Sequence, residues 1–172
     1  MNAFLSGVER RALRIAEIGT GDRDEAMDMV QDAMVRLVRN YADRPEEEWR
    51  PLFFRILMNR VRDSQRRLAV RRRVLAWFGD GGREDRADPI AEAPDPSGDP
   101  EQDLEMRETM ALLEAAIREL PGRQQQAFML RNFEGLDVAG TASAMGCSEG
   151  SVKTHYSRAV HALRARLDES GS

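Results

Sequence analysis

One helical stretch near the C-terminus places polar and cationic side chains on a single face. Apolar residues recur at helical spacing between residues 148 and 167. The opposite face carries Lys153, Thr154, Ser157 and Arg158. Lys and Arg donate hydrogen bonds to guanine acceptors in the major groove, and Ser and Thr can pair with several bases. Although a charged helix face is often only solvated, the short helix predicted just upstream favours a helix-turn-helix that contacts duplex DNA.

A dense arginine cluster lies in the first half of the chain. Seven arginines and one acid, Asp63, occur between residues 60 and 73, a density that suits a phosphate backbone. Asn59 directly precedes the cluster, and its amide could hydrogen-bond a base edge. Trp49, Phe53 and Phe54 could stack on unpaired bases, but core packing is expected for at least two of them. No large continuous apolar face accompanies the cluster, which makes a lipid surface the poorer partner.

A third candidate surface is acidic. Asp24, Asp28 and Asp32 repeat at four-residue spacing, with Gln31 adjacent. Acids early in a helix complement the helix dipole, and that alone could explain the pattern. Because an exposed acidic stripe would repel DNA, it suits a protein partner.

The remaining reactive residue types do not form a catalytic or metal-binding pattern. Cys147 is the single cysteine, and His155 and His161 are six residues apart, so neither a disulfide nor a metal site is expected. We find no paired carboxylates and no activated Ser or Tyr, and therefore expect no enzyme and no cofactor. The sequence has neither a signal-peptide pattern nor a membrane-spanning apolar run, which predicts a cytoplasmic protein.

The elements that position these residues are predicted to be helices. Helical apolar spacing dominates, and no stretch alternates like a strand for long, so the fold class is all-α. The predicted helices cover about 8–18, 24–41 after an N-cap at Asp22, a third starting near Pro51, 106–120, 123–133, 137–145 with Gly146 as C-cap, and a last one capped by Ser148.

Charge divides this helical chain into three segments. Residues 1–78 carry a net charge of +4, residues 79–104 carry −7, and residues 105–172 carry −1. The middle segment is rich in Gly, Pro and acids and has almost no large apolar side chain, which predicts a flexible linker. We therefore expect two small helical domains, 1–78 and 105–172, joined by an acidic linker at 79–104.

Three segments in this order resemble the extracytoplasmic-function (ECF) group of bacterial RNA polymerase sigma factors. DEAMDMVQDAMVRLVR (24–39) is similar to the group's polymerase-binding helix, and LFFRILMNRVRDSQRRLAVRRR (52–73) to its promoter-melting helix and following loop. LPGRQQQAFMLRNFEGLDVAGTASAMGCSEGSVKTHYSRAVHALRARL (120–167) is similar to the promoter-binding module. Gly140, Thr141 and His155 depart from the usual pattern of that module.

The resemblance implies a role for each segment. Residues 1–78 would form sigma region 2, residues 105–172 sigma region 4, and the linker would run through polymerase. Asp28, Gln31 and Asp32 would bind the coiled coil of the polymerase β′ clamp, and region 4 would contact the β flap. The −35 element would be read as duplex by Lys153, Thr154, Ser157 and Arg158. The melted −10 non-template strand would be held by Asn59, Arg60, Arg66, Arg67, Arg71 and Arg72, with residues 66–72 in a loop.

The implied partners are core RNA polymerase, promoter DNA and an anti-sigma factor. Two alternatives stay open at this point. A stand-alone helix-turn-helix regulator would bind duplex DNA without polymerase, and an enzyme such as a recombinase would act on nucleic acid. The acidic stripe and the acidic linker favour the sigma factor, because a simple regulator requires neither.

Overall fold

The computed structural model describes residues 1–79 and 100–170, and each regular element within these ranges is an α-helix. The first three helices, which we call the N-module, are α1 (Asn2–Thr20), α2 (Arg23–Tyr41) and α3 (Glu46–Trp77). The other four, the C-module, are α4 (Pro100–Arg118), α5 (Gly122–Asn132), α6 (Val138–Met145) and α7 (Glu149–Ser170). The all-α prediction is confirmed.

Local sequence signals set several of these helix ends. The Asp22 side chain accepts a hydrogen bond from the Glu25 amide at 2.9 Å, which caps α2. Asp137 does the same for Gly140 at 2.7 Å and caps α6. Gly146 ends α6 in the left-handed conformation with φ of 62°, a backbone angle that glycine adopts without a steric cost. The predicted caps at Asp22 and Gly146 are confirmed, whereas Asp137, predicted as the first residue of its helix, is the N-cap.

Helix α3 is longer than the sequence pattern predicted. It starts at Glu46, five residues before Pro51, and continues to Trp77. Pro51 is tolerated because it lies close to the helix start. Its missing N–H costs the helix one backbone hydrogen bond. The prediction of a loop at residues 66–72 is wrong, since these residues lie inside α3. The physical reason is composition: no Gly or Pro interrupts the chain between Pro51 and Gly79, and Arg, Leu and Ala are good helix formers.

Each module has apolar residues on the faces that its helices turn toward one another. In the N-module, Phe53, Phe54, Leu57 and Val61 of α3 are fully buried against α1 and α2. In the C-module, Val152, Ala159 and Leu163 of α7 are buried against α4, α5 and α6. The core is continuous between the modules, because α1 and α3 also pack on α4, α5 and α6.

The predicted linker falls mainly on residues 80–99, which lie outside the described residues. Its last residues, 100–104, form the start of α4. Among the described residues, no helix is both long enough and apolar enough to span a membrane.

Candidate nucleic-acid interface

The second helix of the helix-turn-helix, α7, projects the predicted duplex-binding face away from the core. Ser148 caps the helix by accepting a hydrogen bond from the Ser151 amide at 3.1 Å, as predicted. Val152 and Ala159 anchor the inner face with no exposed surface. The predicted DNA-contacting residues on the outer face are all exposed: Lys153, Thr154, Ser157 and Arg158.

Hydrogen bonds hold both ends of α6, the helix before α7. The Thr141 hydroxyl is buried and donates to the carbonyl of Asp137 at 2.7 Å, at the start of α6. Arg123 of α5 donates to the carbonyl of Met145 at 2.8 Å, close to the turn. Cys147 is half-buried and packs against the core.

Aromatic and cationic contacts hold α7 on α5. The rings of Phe128 and Tyr156 stack with centroids 6.3 Å apart, and the guanidinium of Arg131 lies 5.5 Å from the Tyr156 ring centroid. A cation over an aromatic ring stabilises the contact by about 0.5–2 kcal/mol, depending on how far water is excluded. The exposed face of α7 is therefore presented on a rigid support.

His155 lies at the edge of this face, at a position where this chain departs from the usual pattern of the family that it resembles. Partial burial, together with the positive charges of Arg123 and Arg158, lowers the pKa of the His155 imidazole below its usual value. The ring is therefore less readily protonated than an exposed histidine while no anion is nearby.

The candidate −10 residues all lie on α3, but they do not share one face. Asn59, Arg62 and Arg66 follow one another at three- and four-residue spacing and face the same side. Arg60, Arg67 and Arg71 form the neighbouring row. Arg72 follows Asn59 by 13 residues, which places it roughly 140° away around the helix axis. Because the segment is a helix, the structure does not bring Arg72 together with Asn59.

Two of these arginines are drawn toward acids of α2. Arg60 Nε lies 3.3 Å from Asp32 Oδ2, and Arg67 lies 3.5 Å from Glu25 Oε1. Farther along α3, Arg66, Arg67 and Arg71 lie beside Val70, Val74 and Leu75 on one exposed side of the helix. The cations suit the phosphates of a nucleic-acid strand.

Asn59 is exposed and is oriented by a neighbour that the sequence patterns did not identify. Arg62 donates to Asn59 Oδ1 at 3.0 Å, a contact that three-residue helical spacing could have indicated. Phe53 and Phe54 are fully buried, so they belong to the core and offer no stacking surface. Trp49 is half-buried and packs 6.1 Å from Phe4, measured between ring centroids.

The acidic stripe on α2 divides into exposed and engaged residues. Asp28 and Gln31 are exposed on the outer face. Asp32 is half-buried, and its Oδ2 forms ion pairs with Arg36 Nε at 2.8 Å and with Arg60 Nε at 3.3 Å. A protein that docks on this stripe meets the charge of Asp28 directly, whereas that of Asp32 is largely compensated.

Comparison with known proteins identifies both modules. The sequence profile described as Sigma-70 region 2 matches residues 1–72, and that described as Sigma-70, region 4 matches residues 110–163. The chain is 30% identical over 151 residues to the RNA polymerase sigma-E factor of Streptomyces antibioticus, covering 86% of this chain and 73% of that one. It is 28% identical over 171 residues to the ECF RNA polymerase sigma factor SigL of Mycobacterium tuberculosis, covering 94% and 83%.

A solved structure has the same fold. It is the sigma factor RpoE of Bartonella quintana in complex with the anti-sigma factor NepR, which superposes with a TM-score of 0.63 over 98% of both chains. Its sequence identity to this chain is 20%. Sigma factors are generally non-enzymatic regulators of transcription, and the region 2 match favours a polymerase subunit over a stand-alone regulator. This chain belongs to the sigma-70 family, in its ECF group, and directs transcription initiation by RNA polymerase.

Proposed function

We propose that this sigma factor reads the −35 element as duplex DNA through Lys153, Thr154, Ser157 and Arg158. The supporting observation is the exposure of all four residues on a recognition helix that follows a turn next to the Arg123–Met145 hydrogen bond. In a helix-turn-helix, the N-terminal half of the second helix lies against base edges. The four residues occupy that half of α7.

The −10 element is held as single-stranded DNA by the Asn59 side of α3. Because Arg62 engages the Asn59 carbonyl oxygen, the amide nitrogen is left to donate to a base acceptor. Arg60, Arg66, Arg67 and Arg71 supply phosphate contacts along the same helix. Arg72 contributes from the other side of the helix as a phosphate contact.

The acidic stripe of α2 binds polymerase. Asp28 and Gln31 make direct contacts with the coiled coil of the β′ clamp, and Asp32 positions Arg36 and Arg60 beside them. Residues 1–78 act as the polymerase-binding and −10 domain, and residues 105–172 as the −35 domain that also meets the β flap. The acidic segment 79–104 occupies a basic channel of the polymerase.

In this mechanism the chain makes and breaks no covalent bond. Contacts with polymerase and with the −35 duplex offset the cost of unstacking bases at −10, which is a few kcal/mol per step. The protein acts where core polymerase and promoter DNA are, in the cytoplasm. An anti-sigma factor regulates it, a proposal supported by the fold shared with the RpoE–NepR complex.

Reconstitution with core polymerase tests these assignments. Asp28→Ala is expected to weaken association with polymerase, because an exposed carboxylate is lost from the docking face. Asp43→Ala, which removes an exposed acid from the turn after α2, is the matched control and should bind normally. Equal association of both variants would exclude the acidic stripe from the polymerase contact.

A further inference from the structure

The last turns of helix α3 extend beyond the packed part of the N-module. Helix α3 contributes buried residues as far as Ser64, whereas every residue from 69 to 79 is exposed. We call residues 69–78 the α3 overhang, which is about 15 Å long at 1.5 Å per residue. The Phe78 amide still donates to the carbonyl of Val74 at 3.1 Å, so the helix is regular to its end.

The α3 overhang carries large apolar side chains that are open to solvent. Trp77 is 86% exposed and Phe78 is 77% exposed. Three exposed aliphatic residues accompany them: Val70, Val74 and Leu75. Aromatic side chains bury roughly 150–250 Å² each and dominate the energetics of protein interfaces. A cluster of exposed apolar residues marks an interaction site, and all but Val70 lie outside both segments that match the sigma-70 profiles.

Three of these side chains form a narrow seam along the α3 overhang. Val70, Val74 and Trp77 follow one another at four- and three-residue spacing, which is the spacing of the inner positions of a coiled coil. At roughly 100° per residue, they span roughly 60° of the helix circumference. A helix that packs on a domain core has an apolar stripe of roughly 100° or more, and a helix on a lipid surface also buries a broad face. The seam therefore fits a single partner helix.

Exposed arginines lie on both sides of the seam. Arg66 and Arg73 flank it on one side and Arg71 on the other. Coiled-coil helices pair opposite charges at these flanking positions. A second copy of the α3 overhang would bring arginine against arginine in either orientation, and like charges in such pairs are destabilising. The charge pattern therefore selects a different chain, with carboxylates beside its own apolar seam.

A single-stranded nucleic acid is the other anionic ligand to weigh against a helix. Strand sites combine cations with aromatic side chains on which successive bases stack. Val70 and Val74 offer no stacking face. Among the described residues of α3, no cation follows Arg73, so the phosphates of a strand that stacked on Trp77 would pass beyond the arginines. A helix uses the aliphatic and the aromatic part of the seam alike.

We propose that the α3 overhang binds an acidic amphipathic helix of a partner protein. The partner's apolar side chains pack against the valines and Trp77 of the seam, and its carboxylates pair with the flanking arginines. Ten residues offer less than the roughly 800 Å² per partner of a standard interface, so the complex is reversible.

Binding of this helix competes with strand opening at −10. This consequence rests on the proposed function, in which Arg66 and Arg71 contact phosphates of the −10 strand. A guanidinium that is paired with a carboxylate of the partner is not available to a phosphate. The partner therefore lowers strand opening, while the acidic stripe of α2 and the exposed face of α7 stay accessible.

A synthetic helical peptide with Leu at its inner positions and Glu at its flanking positions serves as the probe. Fluorescence anisotropy of the labelled peptide should report binding to the full chain. Val70→Ser/Val74→Ser should weaken binding by roughly tenfold or more, because two valines no longer bury apolar surface. Val35→Ser/Val38→Ser, which changes two exposed valines of α2, is the matched control and should bind like the parent chain. Equal binding by the two double variants would overturn the proposal.

A charge exchange tests the arginines separately from the seam. Arg71→Glu/Arg73→Glu should bind the Glu peptide at least roughly threefold more weakly, because two exposed ion pairs are lost. A second peptide, with Lys in place of each Glu, should bind this variant more tightly than it binds the parent chain. The gain cannot come from a damaged fold. If both chains prefer the same peptide, the arginines do not pair with the partner.

A single-stranded oligonucleotide distinguishes the two anionic ligands. If Val70→Ser/Val74→Ser weakens binding of the oligonucleotide, and the parent chain binds neither peptide, then the α3 overhang serves a DNA strand and the proposal of a protein partner is wrong. Binding of the Glu peptide that depends on the two valines supports the partner helix.

Reconstituted initiation separates this proposal from the proposed function. With core polymerase and a promoter, the Glu peptide should inhibit strand opening by the parent chain, whereas Val70→Ser/Val74→Ser should initiate normally and resist the peptide. If the parent chain does not initiate at all, the promoter assignments fail, although valine-dependent peptide binding still supports the docking surface. If the parent chain initiates and binds the peptide without inhibition, the competition at −10 is wrong.

Discussion

Arg62 and Asn59 lie one turn apart on the exposed side of α3, and the arginine donates to the Asn59 carbonyl oxygen at 3.0 Å. The contact fixes the orientation of the amide, so that the NH₂ group rather than the oxygen is available to a ligand. A base held here must therefore offer acceptors. The arginine also places a positive charge beside the same amide, where a phosphate of the flipped nucleotide can approach.

Asn59→Ala is expected to impair strand opening by roughly ten- to a hundredfold, because a base contact of about 1–3 kcal/mol is lost. Opening can be followed by the fluorescence of 2-aminopurine placed in the −10 element. Association with core polymerase should not change, since Asn59 lies on α3 and the acidic stripe on α2. Asn59→Asp keeps the acceptor for Arg62 but removes the donors, and should impair opening as well. Normal opening by both variants would remove Asn59 from the −10 site.

Arg158→Ala should weaken recognition of the −35 duplex by about 1–3 kcal/mol if the guanidinium reads a base. The measurement is binding of holoenzyme to duplexes that differ at single −35 positions. Arg166→Ala, on the same helix, is the control for lost charge, because Arg166 pairs with Glu119 of the C-module. If affinity falls equally for all sequences, and the slope of log affinity against log salt concentration becomes shallower by about one, then Arg158 contacts a phosphate instead.

Short-range signals predicted much of this fold. Asp22, Asp137 and Gly146 are caps that act within three or four residues, so the chain around each of them specifies its conformation. The exposed face of α7 was predictable for the same reason, since helical periodicity alone separates Lys153 from Val152. Neither depends on distant contacts.

Other features depend on residues far apart in the chain. The buried Glu134 pairs with Arg11, which is 123 residues away in the sequence, and no local pattern distinguishes a buried acid from an exposed one. The family pattern implies a loop at residues 66–72, whereas these residues form part of α3. Propensity gave the better indication here, since that stretch contains no helix breaker.

Gly150→Ala separates folding from DNA binding at the start of α7. The nearest atom to an added Cβ is Ser148 Oγ at 3.9 Å, so the methyl group fits in the free protein. The free energy of unfolding, followed by thermal denaturation, should therefore be unchanged or higher by up to about 1 kcal/mol, because alanine has a higher helix propensity than glycine. Affinity for the −35 duplex should nevertheless fall, since the methyl group blocks the approach of a phosphate to the helix N-terminus. Unchanged affinity would show that no phosphate lies against Gly150.

His155 is expected to make the stability of the fold and the affinity for DNA depend on pH with opposite signs. Because Arg123, Arg158 and burial lower its pKa in the folded chain, the unfolded chain binds the proton more readily. Its contribution to stability is therefore intact above the usual pKa of about 6.5 and is lost as pH falls through that value toward the folded pKa.

Phosphates of bound DNA act in the reverse direction, since they favour the protonated ring. Affinity for the −35 duplex should rise over the same interval in which stability falls. Subtracting the affinity profile of His155→Gln from that of the parent chain isolates the contribution of His155. If the two proteins have parallel affinity profiles between pH values of about 5.5 and 7.5, then His155 does not face the DNA.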